Sequence, residues 1–166
     1  MVSGNQGHWS DLSTEEISTV RDLMDTMIPT PSGCFIQGFS HWPLKSIGVE
    51  HLSGINLRQE EINWISTKLT GDVQQEALFS YLTELGCVLR PGFKYGCKWR
   101  VYDDDVAKSH APWLLQPMTE APVSWEQTCL SVRLAEGVHK KWVCGLKEDI
   151  GDWKFLHIKR WLPGRV

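Results

Sequence analysis

The spacing of apolar residues predicts helices in the first half of the chain. Apolar side chains recur every three or four positions in three segments, as on one face of an amphipathic helix. These segments are "STEEISTVRDLMDTMI", "LRQEEINWISTKL" and "VQQEALFSYLTELG". Ser13 and Glu16 form a capping-box motif before the first helix. Asn56 and Asp72 are the predicted N-caps of the second and third, and Gly86 is predicted to end the third.

After Gly86 the pattern changes to short apolar runs that predict β-strands. The four runs are "CKWRVYD", "PWLLQP", "KKWVCGL" and "WKFLHIKRW". The last two are joined by the polar turn "KEDIGD", and a helix from about Ser124 to Ala135 interrupts the strands. Residues 30–55 are rich in Gly, Pro and Ser, and we interpret them as turns and short strands.

This order of elements predicts an α+β fold with two parts. Residues 1–70 are expected to form a helix-rich N-terminal domain. Residues 71–166 are expected to form a mixed α/β C-terminal domain in which helices flank a central β-sheet.

Composition indicates a folded, soluble chain. Hydrophobic residues make up 42% and charged residues 22%, as in globular proteins. The net charge of −3 provides no global basic field, so a nucleic-acid site would have to be a local patch. The five cysteines are odd in number and form no CxxC pair, which argues against a zinc site or a disulfide framework. No signal peptide and no membrane-spanning run is apparent, so we expect an intracellular protein without a membrane partner.

The segment "YDDDVAKSH", residues 102–110, concentrates reactive side chains between two predicted strands. A polar surface loop is one interpretation, since loops collect such residues. A Mg²⁺ site on Asp103, Asp104 and Asp105 is another, although adjacent acidic residues on a turn commonly face solvent.

A family resemblance gives this segment a third interpretation. The segment "EALFSYLTELGCVLRPGFKYGCKWRVY" resembles the opening of the catalytic domain of tRNA-splicing endonucleases, with a helix, a GxKYG turn and a strand that ends in Val-Tyr. The segments "SHAPWLL", "RLAEGVHKKWVCGL" and "EDIGDWKFLHIKRW" follow in the order of that family. The similarity covers roughly residues 76–166, and residues 1–70 carry no such resemblance.

The resemblance implies a catalytic triad of Tyr102, His110 and Lys140. Lys141 is the alternative lysine, and Lys140 is preferred because Arg133 then also lies at the family's spacing. The implied activity is cleavage of precursor tRNA at intron boundaries without metal or other cofactor, leaving 2′,3′-cyclic phosphate and 5′-hydroxyl ends.

Such chemistry needs a base at the 2′-oxygen, an acid at the 5′-oxygen and positive charge at the phosphorane. A histidine with an ordinary pKa of ~6.5 suits the acid, and a lysine supplies the charge. A tyrosine with an ordinary pKa of ~10 is a weak base at neutral pH. That role requires either a lowered pKa or an orienting function instead.

The resemblance also implies RNA-binding and subunit-contact residues. The residues implied to clamp a bulged base are Arg133 and Arg160, with Trp161 as the alternative partner. An acidic turn containing Glu148, Asp149 and Asp152 is implied to contact another subunit. The apolar last strand is expected to pair with its counterpart in a second chain. We therefore expect a homodimer, a homotetramer or a mixed complex with a related subunit, in the cytoplasm of an archaeon or the nucleus of a eukaryote.

Three alternatives remain open at this point. The chain could be a non-catalytic, structural subunit of the same complex. It could be a metal-dependent nuclease that uses the three aspartates. It could also be an RNA-binding or scaffolding module without activity, for which its nine tryptophans would provide stacking surfaces.

Overall fold

The computed structural model describes residues 8–38, 41–51, 53–71, 78–103, 110–148 and 152–164. These residues form helices and two β-sheets, which confirms the predicted α+β class. The chain divides into two compact units, Met1–Gly86 and Cys87–Val166. The domain boundary expected near residues 70 and 71 stays a prediction. Within the described ranges, no helix is long and apolar enough to cross a membrane.

Among its described residues, the first unit combines three α-helices with an antiparallel sheet. The helices are α1 (Thr14–Asp25), α2 (Gln59–Thr70) and α3 (Leu78–Glu84). The strands are β1 (Ile28–Thr30), β2 (Gly33–Gln37), β3 (Val49–His51) and β4 (Gly54–Arg58), in the spatial order β1-β2-β4-β3. The capping box predicted for α1 is present, since Ser13 and Glu16 exchange hydrogen bonds between side chain and backbone.

The prediction that Asn56 caps the second helix is wrong. Asn56 lies in the middle of β4, opposite Phe35 on one side and Val49 on the other. Ile55 and Leu57 are buried while Asn56 is exposed, and this two-residue alternation is the signature of a strand. The helix begins at Gln59, and Glu61 accepts the hydrogen bond from the backbone N–H of Arg58 at its start. The predicted cap Asp72 lies outside the described residues.

Glu61 is the most deeply buried acidic residue of this unit among the described residues, with 0% exposure. One carboxylate oxygen accepts from the backbone N–H of Gly48 at 3.2 Å, and the other accepts from that of Arg58 at 2.8 Å. The side chain therefore joins the loop before β3 to the start of α2.

We expect Glu61→Gln to lower the free energy of unfolding by about 1–3 kcal/mol, because its amide NH₂ would face a backbone N–H donor and leave that buried group unsatisfied. Urea denaturation followed by circular dichroism measures this change. Glu15→Gln, in the exposed first turn of α1, is the matched control and should change the value by less than about 0.5 kcal/mol. Equal effects of the two substitutions would contradict the role of Glu61 in joining the loop before β3 to the start of α2.

The second unit is built on a five-stranded sheet in the order β5-β6-β7-β8-β9. The strands are β5 (Val88–Pro91), β6 (Trp99–Tyr102), β7 (Trp113–Pro117), β8 (Lys141–Lys147) and β9 (Trp153–Ile158). Helix α4 (Trp125–Gly137), capped by Ser124, connects β7 to the parallel strand β8, while the other neighbouring pairs are antiparallel. The predictions of β6 to β9 and of the helix between them are confirmed, and β5 was not predicted.

One apolar cluster packs α4 on this sheet. Val132 and Ala135 of the helix contact side chains of β7, β8 and the segment before β6, and the buried members are Cys97, Leu114, Val132, Ala135, Trp142 and Cys144. The cluster fixes where α4 ends, and with it the position of the residues that lead into β8.

Candidate active site

Three strands of the five-stranded sheet have one of their ends at the same end of the sheet. β6 ends at Tyr102 and runs antiparallel to β7, whose first residue, Trp113, lies opposite Val101. β8 is parallel to β7, and its first residue, Lys141, lies opposite Trp113. The end of β6 and the starts of β7 and β8 therefore lie together, and the residues flanking them are brought close.

Apolar packing holds Tyr102 in place at this end of the sheet. Its side chain is only 5% exposed and forms a small buried cluster with Val88 and Ala111. Ala111 directly follows His110, so the packing of Tyr102 also fixes the backbone beside the histidine.

Lys140 also contacts Ala111. After α4, His139 adopts a left-handed conformation (φ 58°), and the backbone N–H of Lys140 donates to Ala135 at 2.9 Å. This turn directs the half-buried side chain inward, where Nζ donates to the carbonyl oxygen of Ala111 and lies 5.7 Å from the ring centroid of Tyr95. Neighbouring Lys141 is exposed, since adjacent positions at the start of a strand face opposite sides.

His110 completes the group. It is exposed and is the last residue before Ala111, which Tyr102 contacts and Lys140 binds. Tyr102 and Lys140 therefore contact the same residue, Ala111, and His110 directly precedes that residue in the chain with its side chain exposed.

The surroundings lower the pKa of Lys140. Partial burial disfavours its charged form, and the positive charge of Arg100 acts in the same direction. The ammonium group therefore loses its proton at a lower pH than an ordinary lysine does.

We expect Arg100→Gln to raise the pKa of Lys140 partway toward the ordinary value, because burial remains when the repulsive charge is removed. Titration of ¹³C-labelled lysine side chains by NMR measures this shift, with Lys140→Arg identifying the resonance. Arg133→Gln removes an exposed arginine from α4 and serves as the control that should leave the resonance unchanged. A pKa of Lys140 at or above the ordinary value in the wild type would contradict the assignment.

Tyr102 also contacts Arg100, a residue that was not predicted from the sequence. The two residues are two positions apart on β6 and therefore face the same side of the sheet. Arg100 Nη1 donates to the phenolic oxygen of Tyr102 at 3.2 Å. The alternation in "WRVY" was the signal that could have found it.

The predicted RNA-binding residues lie around α4 and the end of β9. The backbone N–H of Arg160 donates to the Glu136 carboxylate at 3.0 Å, and its guanidinium Nε donates to the other carboxylate oxygen. The backbone hydrogen bond from Arg160, and to a smaller extent its side-chain hydrogen bond, lower the pKa of Glu136. Arg133 is exposed one helical turn before Glu136, so Arg160 lies near the part of α4 that carries Arg133. Trp161 is 82% exposed.

Glu148 and Asp152, the described ends of the acidic turn, lie at the far end of β8 from Lys140. β8 starts beside Lys140 and runs for seven residues, about 20 Å, before the chain turns into β9. Glu148 pairs with Lys154 at 2.6 Å, and Asp152 is exposed. Asp149 lies outside the described residues. The structure therefore does not bring the acidic turn to Tyr102, His110 and Lys140.

The aspartates considered as metal ligands are only partly described. Asp103 is exposed directly after β6, and Asp104 and Asp105 lie outside the described residues. Within the part of the chain that the structure covers, no group of three or more His, Cys, Asp and Glu side chains is placed to hold a metal ion.

Comparison with known proteins identifies the second half of the chain. The family model described as "tRNA intron endonuclease, catalytic C-terminal domain" matches residues 73–155, half of the chain. A tRNA-splicing endonuclease of Methanopyrus kandleri is 29% identical over 107 residues, which are 62% of this chain and 59% of that protein. A tRNA-splicing endonuclease of Thermoplasma volcanium is 33% identical over 51% of this chain and 28% of its own length.

The Halobacterium salinarum tRNA-splicing endonuclease is 34% identical over 94 residues, which are 52% of this chain and 27% of that protein. The chain thus spans 59% or less of the length of these curated relatives. The matched region contains Tyr102, His110 and Lys140, and it extends from before α3 into β9. The chain belongs to the tRNA intron endonuclease family, through its catalytic C-terminal domain.

Proposed function

We propose that this chain is a catalytic subunit of a tRNA-splicing endonuclease, which cleaves precursor tRNA at intron boundaries without a metal ion. The observation that carries the proposal is that Tyr102 and Lys140 both contact Ala111, the residue that directly follows His110. The family match and the names of the relatives support the substrate class.

The proposed reaction is an intramolecular transesterification. The 2′-oxygen attacks the adjacent phosphorus and transfers its proton to the deprotonated phenolic oxygen of Tyr102, while the bond from phosphorus to the 5′-oxygen breaks. His110 donates a proton to the leaving 5′-oxygen. The products are a 2′,3′-cyclic phosphate and a 5′-hydroxyl, so no water or metal is consumed in the step.

Lys140 supplies positive charge to the phosphorane oxygens. A lysine that is partly removed from water stabilises developing negative charge more strongly than an exposed one. Its hydrogen bond to Ala111 supports this role, because the bond would hold the ammonium beside His110 before substrate arrives.

RNA binding is proposed to use Arg133, Arg160 and Trp161. Guanidinium and indole groups stack on extruded bases, and all three side chains are exposed. The contact of Glu136 with Arg160 supports a fixed direction for one of these planes.

Assembly with a second chain is proposed to use β9 and the acidic turn. β9 pairs with β8 on one side and lies at the edge of the sheet, with Phe155 and Leu156 exposed on opposite faces. An apolar edge strand of this kind is suited to pairing with another chain. Glu148 and Asp152 are proposed to contact a basic surface of a partner subunit. An oligomer that binds two bulges at once would gain specificity from their spacing, despite the net charge of −3.

The experiment is cleavage of an intron-containing precursor tRNA in EDTA, with analysis of the product ends. The matched control is the same RNA with 2′-deoxynucleotides at both cleavage sites, which lacks the nucleophile. We expect metal-independent cutting to cyclic-phosphate ends with the first RNA and none with the second. Cutting that EDTA abolishes would overturn the mechanism, and tight binding of a folded chain without cutting would favour a structural subunit.

A further inference from the structure

Arg100 links Tyr102 to a neighbouring strand. Its Nε donates to the carbonyl oxygen of Pro91 on β5 at 3.0 Å, and its Nη1 donates to the phenolic oxygen of Tyr102 at 3.2 Å. The guanidinium carbon also lies 5.9 Å from the centre of the tyrosine ring. One planar group therefore bonds to two fixed oxygens, and both of its anchors belong to the sheet.

This arrangement determines where the phenolic O–H can point. A phenolic oxygen donates one hydrogen bond and accepts others through its lone pairs. Because Arg100 occupies an acceptor position, the O–H of Tyr102 points away from the guanidinium. Only arginine can provide this bridge, since lysine offers a single charged nitrogen rather than a rigid fork.

The charge of Arg100 acts on the site as well. Among the described residues, no carboxylate forms an ion pair with Arg100. Burial is the larger cause of the lowered pKa of Lys140, and the charge of Arg100 adds to it. The direct contact of Arg100 is with the phenol, whereas its effect on Lys140 is electrostatic.

We propose that Arg100 is a positioning residue for Tyr102: it bridges the phenolic oxygen to β5 and so fixes the direction of the phenol. This inference rests on the proposed function for its consequence in catalysis. Its structural part, the hydrogen bond between Arg100 and Tyr102, can be tested without substrate.

The test without substrate is NMR of the chain with ¹³C at the tyrosine Cζ atoms. The sequence contains three tyrosines, so three signals are expected, and Tyr102→Phe identifies one of them by its loss. Arg100→Gln should shift that signal and leave the other two in place, because the phenolic oxygen loses a charged donor. Lys98→Gln is the matched control, since Lys98 is a half-buried cation just before β6 whose Nζ pairs with Glu120. An unchanged Tyr102 signal in Arg100→Gln would overturn the inference.

The test in catalysis is a double-substitution cycle on single-turnover cleavage of precursor tRNA. Arg100→Gln should slow cleavage about 10- to 100-fold, and Arg100→Lys should restore part of the rate. Their affinity for 2′-deoxy-substituted RNA should stay within about twofold of the wild type, and Lys98→Gln should cut at the wild-type rate. In the Tyr102→Phe background, Arg100→Gln should slow cleavage by less than about twofold, because its effect passes through the tyrosine.

Two outcomes would count against the inference. Additive effects of Arg100→Gln and Tyr102→Phe would show that the arginine acts independently of the tyrosine. If Arg100→Gln cuts as fast as the wild type and melts at the same temperature, Arg100 has no role in catalysis. A wild type that binds RNA and does not cut contradicts the proposed function instead, and the NMR measurement then decides on Arg100 alone.

Discussion

Replacing His110 with alanine is expected to slow cleavage of precursor tRNA by about 10²- to 10⁴-fold, with RNA affinity nearly unchanged. This is the usual loss of rate when the general acid that protonates the leaving group is removed. His110 is exposed, and its neighbour Ala111 is buried against Tyr102. Truncation at the surface should therefore leave the fold intact. Single-turnover cleavage and the thermal melting temperature are measured in parallel.

A modified substrate distinguishes the acid from a binding residue. If sulfur replaces the 5′-bridging oxygen at the cleavage site, the leaving group is a thiolate, which departs without protonation. His110→Ala should then cut this RNA at nearly the wild-type rate. His41→Ala changes another exposed histidine, which lies in the first unit, and is the control that should affect neither substrate. An equal loss on the sulfur and oxygen substrates would assign His110 a role other than acid.

Local patterns were sufficient where a segment's own residues determine its structure. Ser13 and Glu16 meet across a single helical turn, so the start of α1 could be predicted from two residues. The strands β6 to β9 are apolar runs bounded by turns, and they lie where the sequence predicted them. β5 was missed because its four residues between Gly86 and the GxKYG turn are too few to show a period.

The error at Asn56 has a different cause. Asn is a preferred N-cap and it precedes a helical pattern, so local propensity favoured a cap. The pairing of β4 with β2 and β3 determines the conformation instead, and those partners lie up to about twenty residues earlier in the chain. Tertiary pairing outweighed a local preference of about 1 kcal/mol.

The candidate site shows the same division between local and long-range information. Its residue types could be named from the family resemblance, but the contacts of Tyr102 and Lys140 with Ala111 depend on the registers of β7 with β6 and with β8. Arg100 escaped notice because a hydrogen bond to Tyr102 depends on which face of β6 each residue occupies, and on Pro91 in the neighbouring strand. The choice between two adjacent lysines depends on side-chain direction, which composition and spacing do not encode.

Lys140→Ala and Lys141→Ala form a matched pair that tests this choice. The two residues are adjacent and carry the same charge, but Lys140 is half-buried with its Nζ on Ala111, whereas Lys141 is exposed at the start of β8. We expect Lys140→Ala to slow the single-turnover rate by about 10²- to 10³-fold, the usual loss when one group that stabilises a developing oxyanion is removed. Lys141→Ala should change the rate by less than about threefold.

The affinity for uncleavable 2′-deoxy RNA separates catalysis from general attraction to the phosphate backbone. A backbone contact would weaken binding and reduce its salt dependence, whichever lysine made it. Lys140→Ala should instead lower the rate at saturating enzyme while the dissociation constant at fixed salt stays within about threefold. The reverse ranking, with Lys141→Ala causing the larger loss of rate, would transfer the electrostatic role to Lys141. It would also mean that the hydrogen bond of Lys140 to Ala111 serves to hold the backbone beside His110 rather than to place a charge at the phosphate.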